Sequence, residues 1–237
     1  MIRQFVTAWL QEYRLISSIW NGTYPEPGAG PSISLSILEK AWMSIIVFLR
    51  SFSLVQIQYL FRSYKIQSEI SEFYVLTWFI GVMWLLWHPL APSWLLFLIV
   101  IYRLVDAFNY RLSILFVDRY KANWGLRSLA RSLILILINY LEIIVCFAVL
   151  YLNTNSVEST TKPGLLISNP LDALYFSTVT ITTLGYGDFV PGNDTARILV
   201  TLELIFGFIF VALVLGLLLT GAKFVTELSS HHTQTHK

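Results

Sequence analysis

Apolar and polar positions alternate at helical spacing from the first residues of this chain. Ile2, Phe5, Val6, Trp9, Tyr13, Ile16 and Trp20 fall on one face, and Arg3, Gln4, Glu12 and Arg14 occupy the rest. The pattern predicts an amphipathic helix that suits the headgroup region of a bilayer, or equally a seat on its own protein. Residues 21–33, NGTYPEPGAGPSI, then hold three prolines and three glycines, which must end it.

The next apolar stretch, 41–61, is interrupted by Arg50, Gln56 and Gln58. An arginine at the centre of a span costs about 2.5 to 3.5 kcal/mol, which favours an interfacial or protein-buried helix here. Residues 73–102 are richer in apolar side chains, but WHPLAPSW breaks them at Pro89 and Pro92 into two pieces, each shorter than a span needs. Trp84, Trp87 and Trp94 fit an interfacial belt. If the second piece runs on, Arg103 and Asp106 lie three residues apart on one helical face and can neutralise each other, so a helical hairpin is expected near 73–118.

The basic segment VDRYKANWGLRSLAR, residues 117–131, belongs on the cytoplasmic side. From there Ser132–Leu152 is long enough to cross outward, 153–169 reads as a polar external loop, and Thr195–Ala222 crosses back. Composition agrees with a bilayer as solvent: 56% of the 237 residues are hydrophobic and 13% charged, against about a quarter charged in soluble domains. The net charge of +2 is too small to suggest nucleic acid, and Cys146 stands alone, so no intrachain disulfide forms.

Between the two crossings lies NPLDALYFSTVTITTLGYGDFVPGN, residues 169–193. Asn169 or Ser168 can cap a helix there, Pro170 fits its first turn and Asp172 suits its positive end. This helix is too short to span. It is expected to be re-entrant, with its negative end aimed at the membrane centre, where a dehydrating cation needs support. The glycine-rich return that follows has no regular hydrogen bonding, and such backbone survives at membrane depth only when buried in protein or lining a water-filled path.

TVTITTLGYGDFVP, residues 178–191, resembles the pore signature of tetrameric potassium channels, and the resemblance extends over roughly residues 128–222. It implies an all-α membrane fold: an outer helix, a re-entrant pore helix with its filter, and an inner helix, preceded by further membrane or interfacial helices and assembled as a fourfold homotetramer. By that match Thr183, Leu184, Gly185 and Tyr186 supply carbonyls to K+, with the Thr183 hydroxyl at the inner mouth. Gly187 makes the exit turn, Asp188 stiffens the filter from behind, and Thr182 ends the pore helix. Four positions bear on the match: Leu184 stands where valine is most usual, Val179 holds a position that is glutamate in some relatives and apolar in others, and Tyr175 with Phe176 replaces the tryptophan pair of many relatives. Tyr175 can still bond Asp188, and the altered aromatic cuff implies a filter less rigid at its outer end. Gly207 stands where the family places a gating hinge, though glycine also lets helices approach closely. Leu215 to Leu219 would form an inner constriction. Glu142 and Glu203, ionisable groups at membrane depth, are candidate intramembrane sensors or satisfied interhelical contacts.

The domains expected are therefore 1–36, an interfacial helix and linker; 37–126, membrane or interfacial helices; 127–222, a pore domain; and 223–237, a cytoplasmic tail. The function implied is passive, potassium-selective conduction. The alternatives are a weakly selective cation channel and a non-conducting sensor or scaffold on the same fold. No enzyme is expected: His88 stands alone, and no nucleophile, base and orienter occur together. No cofactor is implied beyond K+ in the filter. The partners are the bilayer, three further copies of the chain, and a regulatory lipid or protein acting through the N-terminal region. The expected location is a plasma or inner membrane, with the C-terminus cytoplasmic and the filter mouth outside. Arg103, Arg111 and Arg119 recur every eighth residue, which is no regular voltage sensor, and His231, His232 and His236 fall in the tail.

Overall fold

The computed structural model describes residues 2–23, 35–51, 53, 64–88, 93–116, 129–162 and 164–234. In chain order the elements are α1 (Ile2–Trp20), α2 (Ile37–Arg50), α3 (Tyr64–Trp87), α4 (Ser93–Phe116), α5 (Leu129–Thr154), β1 (Val157–Ser159), α6 (Pro170–Ile181), β2 (Phe189–Pro191) and α7 (Asp194–Gln234). They form two compact units, Met1–Thr77 with Ile101–Gly125, and Trp78–Val100 with Leu126–Lys237.

In the first unit α2 starts at a capping box: Ser36 Oγ accepts from the Glu39 N–H at 3.2 Å while the Glu39 carboxylate accepts from the Ser36 N–H at 2.8 Å. Helix α1 packs on α2, and Ile19, Met43, Ile46, Val47 and Leu112 form a buried cluster flanked by Leu15, Ile16, Leu35 and Phe108. Arg50 is buried and held by Glu12, with Nη2 donating to Oε1 at 2.7 Å and Oε2 at 2.6 Å, while Nη1 donates to Ser113 Oγ at 2.7 Å. Among the described α1 side chains Glu12 and Ile19 are buried, whereas Tyr13 and Trp20 of the expected apolar face are exposed; the side chains of Ile2, Phe5, Val6 and Trp9 lie outside the description. A buried guanidinium needs a carboxylate more than a further apolar contact, which explains the offset. Arg103 Nη1 meets Asp106 Oδ2 at 2.8 Å, and the Tyr74 hydroxyl donates to the same oxygen at 2.7 Å. The pairing expected from their spacing is thus present. The hairpin turn at Pro89 and Pro92, residues 24–34, 54–63 and most of the basic segment lie outside the described residues.

In the second unit α5 lies against both α6 and α7, and α6 against α7. Every residue of α5 from Glu142 to Tyr151 is buried, which fits a helix flanked on two sides. The strands pair antiparallel in the register Val157↔Pro191, Glu158↔Val190, Ser159↔Phe189, so the segment read as an external polar loop carries a short strand. Among the described residues two helices are long and apolar enough to cross a bilayer, Leu133–Thr154 and Asp194–Gly216. Helix α7 does not stop at Ala222 but continues to Gln234, because no proline or glycine follows Gly221 to break it.

Candidate pore loop

The loop is built from its leading helix. Asn169 Oδ1 accepts from the Leu171 N–H at 3.0 Å, Pro170 occupies the first turn, and Asp172 sits near the positive end. Helix α6 ends at Thr182, whose hydroxyl folds back onto the Thr178 carbonyl at 2.6 Å. Two further bonds tie the return to the helix end: Thr183 N–H to Thr180 O at 2.9 Å, and Leu184 N–H to Val179 O at 3.0 Å. Val179 presents its carbonyl to the return while its side chain is buried.

Beyond that point the backbone alternates. Thr183, Gly185 and Gly187 have φ of 59°, 55° and 78°, while Leu184 and Tyr186 between them stay on the ordinary negative side. In a regular strand successive carbonyls point to opposite sides; reversing the sign of φ at every second residue rotates alternate peptides and brings the carbonyls toward one side. Glycine adopts positive φ freely, but a β-branched threonine does not, so strain at Thr183 marks the place where the row begins. Among the described residues no group donates to the carbonyls of Thr183, Leu184, Gly185 or Tyr186. The whole run from Thr182 to Gly187 is exposed in the single chain.

The exit is different. The Thr160 hydroxyl lies 2.8 Å from the Gly187 carbonyl and 3.0 Å from that of Asp188, and the Thr160 N–H donates to Asp188 O at 2.9 Å. Asp188 Oδ1 accepts from the Phe189 N–H at 3.2 Å. Interaction with Asp188 holds the Tyr175 phenol above its ordinary range.

Behind α6 three helices share a carboxylate. Glu203 of α7 is fully buried, accepts from the Tyr151 hydroxyl of α5 at 2.7 Å, and bonds the Ser177 hydroxyl of α6, which also lies 2.8 Å from the Ile144 carbonyl. The partner on α6 is Ser177; the neighbouring Thr178 hydroxyl donates to Leu174 O at 2.7 Å. Glu142 is buried on α5. Gly207 packs against the end of α6: a Cβ there would stand 2.8 Å from Ile181 Cγ1 and 3.4 Å from the Ile181 carbonyl, and α7 continues through it. Leu215 is exposed on α7, while the Leu219 side chain lies outside the described residues. Thr160, Ser177 and Tyr151 are missed by sequence reasoning. Each acts on a partner distant along the chain, and no local spacing announces the contact.

Residues 133–222 match the sequence pattern of the ion channel family. Over 50 residues the chain is 56% identical to two pore potassium channel a of Oryza sativa subsp. japonica, covering 21% of this chain and 14% of that one. It is 39% identical over 71 residues to the hyperpolarization-activated voltage-gated potassium channel of Methanocaldococcus jannaschii, covering 30% and 32%. With two-pore potassium channel 4 of Arabidopsis thaliana the identity is 37% over 90 residues, covering 38% and 28%. The chain thus spans a third or less of the length of these relatives, which are channels and not enzymes. No solved structure matches. The elements α5, α6 and α7 and the segment between them coincide with the matched region, so residues 133–222 are similar to an ion-channel module, and two apolar helices long enough to cross a membrane belong to it.

Proposed function

We propose that four copies of the chain surround an axis and conduct K+ passively through a filter formed by residues 183–187. The observation that carries this reading is the row of four carbonyls, Thr183 to Tyr186, on an alternating backbone with no donor among the described residues. Bare carbonyl oxygens are poor in isolation, since each buried unsatisfied acceptor costs about 1 to 3 kcal/mol. A cation that has shed its water supplies what they lack. One chain gives one side of the ring, and cyclic symmetry closes it.

In this reading α6 is re-entrant, its negative end at Thr182 favours a cation below the filter, and the Thr183 hydroxyl faces the inner mouth. Gly187 turns the chain outward, Asp188 and Tyr175 brace the outer end, and Val179 supports the row from α6. Gly207 admits the close contact between α6 and the inner helix α7, about which gating movement turns. Leu215 and Leu219 narrow the cytoplasmic mouth. Glu203 joins the inner helix to α6, and Glu142 is the second candidate sensor at membrane depth. The filter mouth faces outside and the C-terminus the cytoplasm of a plasma or inner membrane. The domains run 1–36, 37–126, 127–222 and 223–237, and residues before the pore module receive regulatory lipid or protein.

The test is ion flux from liposomes holding the purified full chain. Potassium efflux that greatly exceeds sodium efflux is expected. Equal rates would favour a weakly selective cation pore, and no flux of either ion a sensor or scaffold.

A further inference from the structure

We propose that Thr160, in the segment between α5 and α6, is a positioning residue that fixes where the row of cation-facing carbonyls ends. The inference rests on the channel reading above and adds to it a residue outside the filter motif.

The argument starts from register. Ser159 pairs with Phe189 in the β1–β2 ladder, and in an antiparallel pair the next residue outward on one strand falls opposite the previous residue on the other. Thr160 is therefore delivered to Asp188, and its N–H donates to that carbonyl at 2.9 Å. The backbone contact alone would secure the loop. The side chain reaches one residue further, to within 2.8 Å of the Gly187 carbonyl. Its single hydroxyl hydrogen is shared between Gly187 O and Asp188 O, the latter at 3.0 Å.

The consequence is a break in an otherwise uniform series. Thr183, Leu184, Gly185 and Tyr186 offer carbonyls with no donor among the described residues, and Gly187 offers one that is already engaged. A carbonyl that accepts a hydroxyl proton has less lone-pair density for a cation and is turned toward its donor. Gly187 has φ of 78° and open space where a side chain would be, so without the hydroxyl its peptide has room to rotate. Thr160 is exposed and fills no core, which leaves the hydrogen bonds as its contribution.

Currents through the full chain in planar bilayers test this. Thr160→Val keeps the branched shape and the backbone N–H but removes the hydroxyl; Thr160→Ala removes the shape as well; Thr160→Ser restores the hydroxyl. During sustained opening, loss of current in the Val and Ala variants is expected to quicken on the order of tenfold, the weight of about one hydrogen bond. External potassium should slow it, and the Ser variant should behave as wild type. Hydrogen exchange of the 182–190 backbone should rise in the Val variant in parallel. Wild-type kinetics in the Val and Ala variants, a change in only one of them, or unchanged exchange would overturn the proposal. A wild-type protein that passes no potassium would instead overturn the channel reading, and the proposal with it. The two failures are distinguishable because one appears in the wild type and the other only between variants.

Discussion

Glu203 is fully buried where α5, α6 and α7 meet. Its two oxygens face Tyr151 and Ser177, and the one hydroxyl hydrogen of Ser177 has two oxygens within reach, Glu203 Oε1 and the Ile144 carbonyl. An amide in place of the carboxylate has an oxygen for Tyr151 and an N–H for Ser177, which leaves the serine proton for Ile144. Glu203→Gln is therefore expected to melt within a few degrees of wild type. Glu203→Ala strands the buried Tyr151 hydroxyl, while Ser177 keeps the Ile144 carbonyl, and opens a cavity; it should lower stability by roughly 2 to 4 kcal/mol. Thermal melting in detergent separates the two; an equal loss in both variants would show that the charge and not the hydrogen-bond pattern matters. The same reasoning applies to Arg50 in the first unit. Glu12→Ala takes the bidentate carboxylate from a buried guanidinium, at a cost of about 3 to 5 kcal/mol, whereas the double change Glu12→Leu with Arg50→Met should recover most of it. Denaturant unfolding of both variants checks the difference. Only part of this is legible in the sequence. Arg103 and Asp106 sit within one turn, so their pairing follows from helical spacing alone. Glu12 and Arg50 are 38 residues apart and Ser177 and Glu203 are 26 apart, and nothing in local pattern selects those partners.

At the scale of elements, the contact between α6 and α7 depends on a missing side chain. Gly207 lets the end of the short helix approach so closely that a methyl group would have to displace Ile181. Ile181 is the last residue of α6, one position before the cap from which the carbonyl row departs. Gly207→Ala is therefore expected to disturb potassium flux as well as helix packing, reducing flux several-fold. Gly207→Ala with Ile181→Val, which trims the opposing side chain, should restore much of it. Because a helix gains about 1 kcal/mol when glycine becomes alanine, a variant with undiminished stability and altered flux that Ile181→Val does not restore would favour a hinge role over the packing one. Flux and melting temperature measured on the single and double variants decide between them. The pore helix itself is legible because its signals are local: Asn169, Pro170 and Asp172 at one end, and a threonine pair at the other. The strand pair β1–β2 is not, since three residues of mixed polarity in each strand carry no periodic signal and acquire their pairing only when α5 and α6 bring the loop and the exit together.

At the scale of the whole molecule, the single chain exposes what a monomer would hide. Leu184 and Tyr186 are 58% and 67% exposed, and α7 exposes Ile198, Leu202, Ile205 and Phe208 in a row at helical spacing. On a membrane helix such a stripe meets either lipid or another protein, and lipid suffices for the side chains. It does not suffice for the carbonyls of residues 183–186, because hydrocarbon supplies no donor and an unsatisfied peptide group is costly there. Association around an axis answers both needs at once, which makes the two features coupled. The purified full chain in mild detergent should therefore have a protein mass of four chains by light scattering. Potassium should raise its resistance to dissociation on heating more than sodium does, because a cation held by four chains stabilises only the assembled form. Substituting Leu202 with arginine on the exposed stripe should weaken the assembly if that stripe faces a neighbouring copy or sits deep in lipid. Stabilisation by potassium should vanish with Gly185→Ala, which forces a side chain onto a positive φ within the row. A monomeric mass, or equal protection by the two ions, would mean that these carbonyls do not share a cation.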